Sequence, residues 1–291
     1  MNNKFNLIAE IGCNHKGDIE IAKKHIVEAK SSGIKIVKFQ KRDNLALLGK
    51  EKYNMPHPVP SNSYGSTYGK HRDFLEFSVE QHRELKEFCE CNDVVYSTSV
   101  WDINSAQQIV SLEPTFIKVP SACNNNLELI NYLLDGYKGD IHISLGMTTK
   151  DEVNTLIDLF RKKNYMHRVV LYSCTSGYPV DFKDICLFEI KNITEKYGRE
   201  LKGIGFSGHH LGIAVDIAAF TLGAKWIERH FTLNRTWKGT DHAASLEPEG
   251  LRKLNRDLIN VSESMSYKNT EILNIEMPQR EKLKWTNPKS V

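Results

Sequence analysis

Residues 205–247, GFSGHHLGIAVDIAAFTLGAKWIERHFTLNRTWKGTDHAASLE, gather histidines and carboxylates at the ends of short apolar runs. Two such runs, 202–207 and 225–231, flank a helix-like segment, 211–222. His209 follows the first run and His230 lies inside the second. Side chains two apart in a strand share a face, so Glu228 and His230 should point the same way, with Trp226 behind them. If the runs are neighbouring parallel strands, His209 and His230 converge at one end of a sheet, where two imidazoles can hold a divalent cation. Asp241 and His242 come next, on the following loop and the same side. A lone histidine at a strand end is usually a structural hydrogen-bonding residue. Two on successive strands, with Glu and Asp nearby, set the metal-binding reading beside the structural one.

A frame is needed to bring such groups together. Short β-like runs alternate with amphipathic helices eight times along the chain. The expected strands are 5–12, 34–40, 94–100, 116–120, 140–146, 168–174, 202–207 and 225–231. The expected helices are 18–31, 79–92, 103–111, 127–134, 150–163, 181–197, 211–222 and 248–266. Ser78 and Thr149 each precede a helix with an amide or acidic residue three positions on, as an N-cap requires. Gly33 and Gly223 follow helices where the chain needs positive φ. Eight β-rich runs joined by helices specify a parallel sheet, and closing it removes both edges. The expected fold is α/β, a (β/α)8 TIM barrel over residues 1–267, with a polar tail at 268–291.

A barrel of this kind places its chemistry at the carboxyl ends of the strands. In chain order those ends offer Glu10, Asn14 and His15; Lys38 and Gln40; Thr98; Lys118 and Ser121; Ser144; Ser173, Thr175 and Tyr178; Ser207 and His209; Glu228 and His230. Burying two lysines near the axis without partners would cost several kcal/mol, so an anionic ligand is the natural complement. Between the second strand and its helix, residues 41–78 are rich in Asn, Pro, Gly, Ser, Tyr and His. A connection of that length commonly forms a lid or a binding loop.

Composition narrows the classes. Over 291 residues the net charge is +3, and no run of five or more basic residues occurs, which argues against a nucleic-acid surface. The opening residues lack an apolar run of signal-peptide length, and no window approaches about 18 apolar residues, so no membrane partner and a cytoplasmic location are expected. Six cysteines show no CxxC pairing and none flanks His209 or His230 in sequence, which predicts reduced thiols and argues against a closed structural zinc site.

The motifs LIAEIGCNHKGDIEIAKKHI, IVKFQ, YSTSVWD, FIKVPSA, ISLGM, LYSCTSGYP, IGFSGHHLGI and IERHFTLNRTWKGTDHAASLEPE occur at nearly every expected strand end. Together they resemble the N-acetylneuraminate (sialic acid) synthase family, barrel enzymes that condense phosphoenolpyruvate with N-acetylmannosamine or a related sugar. The resemblance implies that His209 and His230 ligate Mn²⁺ or Mg²⁺ and that Glu10 stands close to the metal. It implies that Lys38, Thr98, Lys118, Ser121, Ser144 and Ser207 hold phosphoenolpyruvate, and that Gln40, Asn62, Tyr178, Glu228 and Asp241 meet an N-acetylated aldose. It further implies a homodimer. The chain departs from the family pattern at Gly208, where Asp is common, at His210, where Thr is common, and in the forms KVPSA and SLGM. Many bacterial relatives add a C-terminal antifreeze-like domain that reaches the sugar, and the tail at 268–291 is read as too short for one. Two other readings fit part of the pattern: a metal-dependent barrel isomerase or aldolase acting on a sugar phosphate, and a catalytically inactive sugar-binding homologue.

Overall fold

The structure, a computed structural model, describes residues 5–285. Eight parallel strands close in sequence order into a barrel: β1 (Asn6–Gly12), β2 (Ile36–Lys41), β3 (Val95–Val100), β4 (Phe116–Val119), β5 (Asp140–Ser144), β6 (Val169–Cys174), β7 (Gly203–Gly208) and β8 (Trp226–His230). The helices are α1 (Ile19–Ser31), α2 (Asn44–Asn54), α3 (Tyr68–Leu75), α4 (Val79–Cys91), α5 (Ile103–Val110), α6 (Leu127–Gly136), α7 (Lys150–Lys162), α8 (Glu189–Tyr197), α9 (Ala214–Thr221), α10 (Pro248–Ser264) and α11 (Met277–Leu283). The (β/α)8 expectation therefore holds. Its caps are those the sequence signals: Ser78 with Gln81 and Thr149 with Glu152 form reciprocal capping boxes on α4 and α7. Gly33 and Gly223 adopt φ of 82° and 115° after α1 and α9.

Three expectations need correction. The helix expected over 181–197 is broken: a single turn at Phe182–Asp184 is separated from α8 by Cys186, whose φ is +54°. The helix expected from 211 starts only at Ala214, because Gly212 turns the chain at φ 77°. And residues 41–78 are not a plain loop. They fold into α2, a turn at Pro60–Asn62, and α3, fastened by Asn44 to Asp73 at 3.1 Å and by the Arg42 amide to Glu76 at 2.9 Å. Past α10, α11 has no buried residue.

The strand register decides what fills the barrel. Ile8 pairs with Ile36, Glu10 with Lys38, Lys118 with His142, Tyr172 with Gly205, and Ser207 with Glu228. Paired residues share a face, so the interior grades from an apolar base to a charged mouth. Ile8, Ile36, Phe116, Val170 and Tyr172 form a buried inner cluster with Trp226 packed on it. The His142 ring stacks on Phe116 at 4.0 Å and lies edge-on to Trp226 at 4.6 Å. Outside, apolar residues of the opposite strand faces meet the helices, as Ala9, Val37, Ile117, Ile143 and Ile227 do.

Gly205 makes this grading possible. A Cβ there would lie 2.4 Å from the Tyr172 ring, so only glycine lets the tyrosine cross the barrel. Tyr172 hydrogen-bonds His142 at 2.8 Å and lies 4.4 Å beneath the Lys118 ammonium, forming the floor of the charged mouth. Gly205→Ala is expected to destabilise the fold by about 1–3 kcal/mol through overpacking. Chemical denaturation checks this, and an unchanged midpoint would show that Tyr172 moves freely.

Candidate active site

At the carboxyl end of the barrel lies a cavity of about 470 Å³. Its wall includes Glu10, Lys38, Gln40, Lys118, Ser121, Ser144, Tyr178, Ser207, His209, Glu228, His230 and Asp241, all expected from sequence. Each strand or the loop that follows it, except at β3, supplies an expected group.

Four charges meet at the bottom. The Lys38 ammonium contacts the Glu10 carboxylate, donates to Ser99 Oγ at 2.7 Å and lies 3.8 Å from Glu228. Lys118 donates to Glu228 Oε1 at 2.6 Å, and Ser207 donates to the same oxygen at 3.1 Å. The lysines are thus partnered without any ligand, which corrects the inference that they call for an anion because nothing else could neutralise them. Burial alone would raise the Glu228 carboxyl, but Lys118 and Lys38 outweigh it and pull it down to about 2. Glu10 behaves oppositely: burial pushes it up, Lys38 opposes, Glu228 repels, and the carboxyl comes to about 7. Its ion pair with Lys38 therefore exists as such above neutrality and is open to protonation below it. At Gly12 the φ is +54°, and a Cβ there would lie 3.1 Å from Glu10 Oε1, so this glycine at the β1 bulge keeps space over the carboxylate.

His209 and His230 converge as expected, with ring centroids 5.4 Å apart. Tyr178 covers them, its ring 4.4 Å from His209 and 5.9 Å from His230. His209 Nδ1 faces the Thr175 carbonyl at 2.9 Å, which fixes the tautomer that leaves Nε2 with a free lone pair. Burial lowers the His209 imidazole to about 3, and burial also lowers His230, so both rings are neutral at pH 7. His230 Nδ1 is buried without a hydrogen-bond partner. Among the described residues no three His, Cys, Asp or Glu side chains close into a metal-holding group. Two neutral imidazoles, one with an unpartnered buried nitrogen, are donors of a kind that suits a divalent cation. A cysteine does approach: Cys174 Sγ is 4.0 Å from His209 Nδ1, although sequence spacing set it far away. Burial raises that thiol, so it stays protonated and is a poor ligand.

Several expected groups lie elsewhere. Thr98 pairs with Phe39 on the outer face of β3 and donates to Tyr96 Oη at 2.6 Å, away from the cavity. Its neighbour Ser99 is the inward residue, on Lys38. On β6, Ser173 pairs with Phe206 and faces outward, and Cys174, paired with Ser207, lines the cavity. Asn14 ties β1 to the Phe231 carbonyl at 2.8 Å, and His15 stacks on Phe77 at 3.9 Å; both are structural. Asn62 sits in the turn Pro60–Asn62, outside the cavity wall. The lid contributes groups that sequence reasoning missed: Arg42, His57, Tyr68, His71 and Arg72 all reach the wall. The only signal for them was the length and composition of the connection.

The departures at Gly208 and His210 explain each other. A Cβ on Gly208 would lie 2.8 Å from His210 Cε1 and 2.9 Å from Phe206 Cε1, so the His210 ring fills the space a side chain at 208 would need. His210 belongs to a fully buried cluster with Arg229 and Asp216: Arg229 contacts Asp216, donates to His210 Nε2 at 3.1 Å and caps the His210 carbonyl at 2.6 Å. That cluster grips the residue after His209 and the residue before His230, fixing both imidazoles from behind.

A model of the NeuB family matches residues 25–270. The chain is 36% identical over 277 residues to the N-acetylneuraminate-9-phosphate synthase of Homo sapiens, covering 95% of this chain and 76% of that one. It is 31% identical to the N,N'-diacetyllegionaminic acid synthase of Legionella pneumophila over 85% of this chain and 69% of that one. The crystal structure of N-acetylneuraminic acid synthetase from Leptospira borgpetersenii superposes with a TM-score of 0.82 at 26% identity, over 98% of this chain and 94% of that one. With eight strands in order, a charged barrel mouth and a family match running through both histidines, the chain belongs to the NeuB family.

Proposed function

We propose that this protein is a nonulosonate synthase that condenses phosphoenolpyruvate with an N-acetylated aldose and releases phosphate. The observation that carries the reading is the buried Lys38, Glu10, Glu228 and Lys118 cluster lying beneath paired neutral histidines in one cavity. Membership of a family of named synthases supports it. The six cysteines are all free, in keeping with work in a reducing cytoplasm. Among the described residues no helix is long and apolar enough to cross a membrane.

Each residue has a task in that reaction. Lys38 and Lys118 bind the carboxylate and phosphate of phosphoenolpyruvate, exchanging a glutamate partner for a substrate one. Ser144 Oγ, buried and without a partner, supplies a further donor, with Ser99, Ser121 and Ser207 beside it. The nucleophilic enol C3 attacks the aldehyde carbon of the open-chain sugar, forming the C–C bond while the aldehyde oxygen takes up a proton. Water adds to the cationic C2 that results, and Glu10, poised near neutrality, accepts its proton. The C2–O bond to phosphate then breaks as the new C2 hydroxyl gives up its proton to the departing phosphate, leaving a ketone and inorganic phosphate. His209 and His230 would hold Mn²⁺ or Mg²⁺, a Lewis acid that polarises the aldehyde carbonyl. Gln40, Tyr178 and Asp241 line the remaining wall, where the sugar lies.

An isomerase or aldolase would act on one sugar phosphate alone, so phosphate release that needs both phosphoenolpyruvate and an N-acetylated aldose tests the reading directly. With bridging-oxygen label in phosphoenolpyruvate, the label should leave with phosphate. Lys118→Met is expected to raise KM for phosphoenolpyruvate about 10-fold or more, the scale of one lost charge-assisted hydrogen bond; an unchanged KM removes Lys118 from the anion site. His230→Ala should abolish turnover with the fold retained by circular dichroism, and undiminished activity of the wild-type chain in excess chelator would overturn the metal assignment. Because burial raises the Glu10 carboxyl of the free protein to about 7, the acid limb of kcat/KM should fall as pH drops through neutrality and be missing from Glu10→Gln.

A further inference from the structure

Positive charge in the cavity is met by negative charge at one end and left open at the other. At the barrel floor each lysine has a glutamate. On the lid side stand two guanidinium groups, Arg42 and Arg72, and among the described residues neither has an ion pair with a carboxylate. Arg72 is 7% exposed and, among the described residues, has no hydrogen bond or ion pair. Asp241 and Glu76 act on it only through space. Arg42 lies flat on Trp101, 3.3 Å from the ring centroid, and reaches the neutral amide oxygen of Gln40 at 3.1 Å. Its Nε is buried with no partner. Glu76, an acid of the same lid, spends one oxygen on the Arg42 backbone amide and stands opposite Lys41 at 3.8 Å.

Both arginines also wall a smaller adjoining cavity of about 230 Å³, lined elsewhere by groups such as Leu47, Trp101 and Ala122 and containing no acidic side chain. Two buried cations sharing one small space without a counter-ion are costly. Guanidinium groups present paired N–H donors whose geometry matches phosphate oxygens. A dianion seated between them would neutralise both and satisfy the orphaned Nε.

We propose that Arg42 and Arg72 form a second anion subsite, separate from the lysine pair, that binds a phosphate carried by the acceptor sugar at the end remote from its aldehyde. The acceptor is then an N-acetylated hexose phosphate. This rests on the reaction proposed above, in which the lysine end takes phosphoenolpyruvate and the aldehyde lies at the histidines. The lid is what brings the subsite into being, since Arg42 opens it and Arg72 lies on α3. Trp101 stacks on the Arg42 plane and so leaves the edge that carries the donors uncovered by its ring.

The test compares N-acetylmannosamine 6-phosphate with N-acetylmannosamine, using the full chain with Mn²⁺ and phosphoenolpyruvate and following ketosugar acid formation. The wild type should favour the ester in kcat/KM by about 100-fold, the scale of two charge-assisted contacts. Arg72→Met should raise KM for the ester about 10- to 100-fold while KM for phosphoenolpyruvate moves far less, and Arg72→Lys should recover part of the loss. Thermal unfolding of both variants guards against a folding defect, and Arg42→Lys gives an independent reading if Arg72→Met does not fold. Equal use of the two sugars overturns the subsite and leaves the synthase reading standing. A rise in KM for phosphoenolpyruvate as large as that for the ester also overturns it, by assigning the arginines to the first anion. If neither sugar is turned over, the synthase reading fails for N-acetylmannosamine acceptors, and turnover no longer tests the subsite. Calorimetric binding of the ester to wild type and Arg72→Met then decides the subsite alone: weaker binding to the variant upholds it, and equal binding overturns it.

Discussion

Two lysines and two glutamates share the mouth of the barrel, and neither pair could be buried without the other. A single ammonium taken out of water at this depth would cost several kcal/mol, yet Lys38 and Lys118 are 2% and 3% exposed. Glu228 lies within reach of both and acts as the hub. The site is therefore electrically paired at its base, and in the proposed reaction a substrate enters by exchange of partners. Exchange favours a ligand with two anionic groups on a short frame, because only such a ligand replaces both glutamates at once. In the proposed reaction it also leaves Glu10 less tightly held when the substrate is in place, which suits the proton-accepting role proposed for it.

Everything beneath and around that cluster serves to hold it still. The floor is an aromatic stack of Phe116, His142, Tyr172 and Trp226 that gives the charges a rigid, low-dielectric seat. The walls are the strand ends themselves, so groups from eight separate stretches of sequence stand in fixed register. The roof is the lid of α2 and α3, tied to the loop after β8 where Tyr64 donates to the Lys238 carbonyl. Rigid strands carry the groups nearest the proposed bond-making step, and the lid carries those that meet the far end of the ligand.

Much of this arrangement was legible in the residues. Lys38, Lys118, Glu228 and His230 each lie on a strand whose alternation is clear, so period two assigns their faces. Errors arose where alternation is silent. In Tyr96 to Ser99 the residues Ser97, Thr98 and Ser99 are all small and polar, so nothing in their chemistry fixes the phase, and only pairing with Gln40 and Lys118 shows that Ser99 is the inward one. Ser173 and Cys174 present the same ambiguity. Arg42 and Arg72 were invisible for another reason. They sit in a connection with weak periodicity, and their approach to the cavity is set by how α3 folds back over the barrel. The partnering of the lysines was likewise out of reach, since it depends on side chains meeting across the barrel axis.

The seat of His210 against Gly208 has a consequence for how such a chain can diverge. The imidazole occupies the volume that a side chain at 208 would need, so the two positions behave as one heritable unit: enlarging 208 first meets the ring, and trimming 210 first opens a void beside a buried guanidinium. Either order passes through a handicapped intermediate. Positions 208 and 210 are thereby coupled, and a change at one is best accommodated by a change at the other.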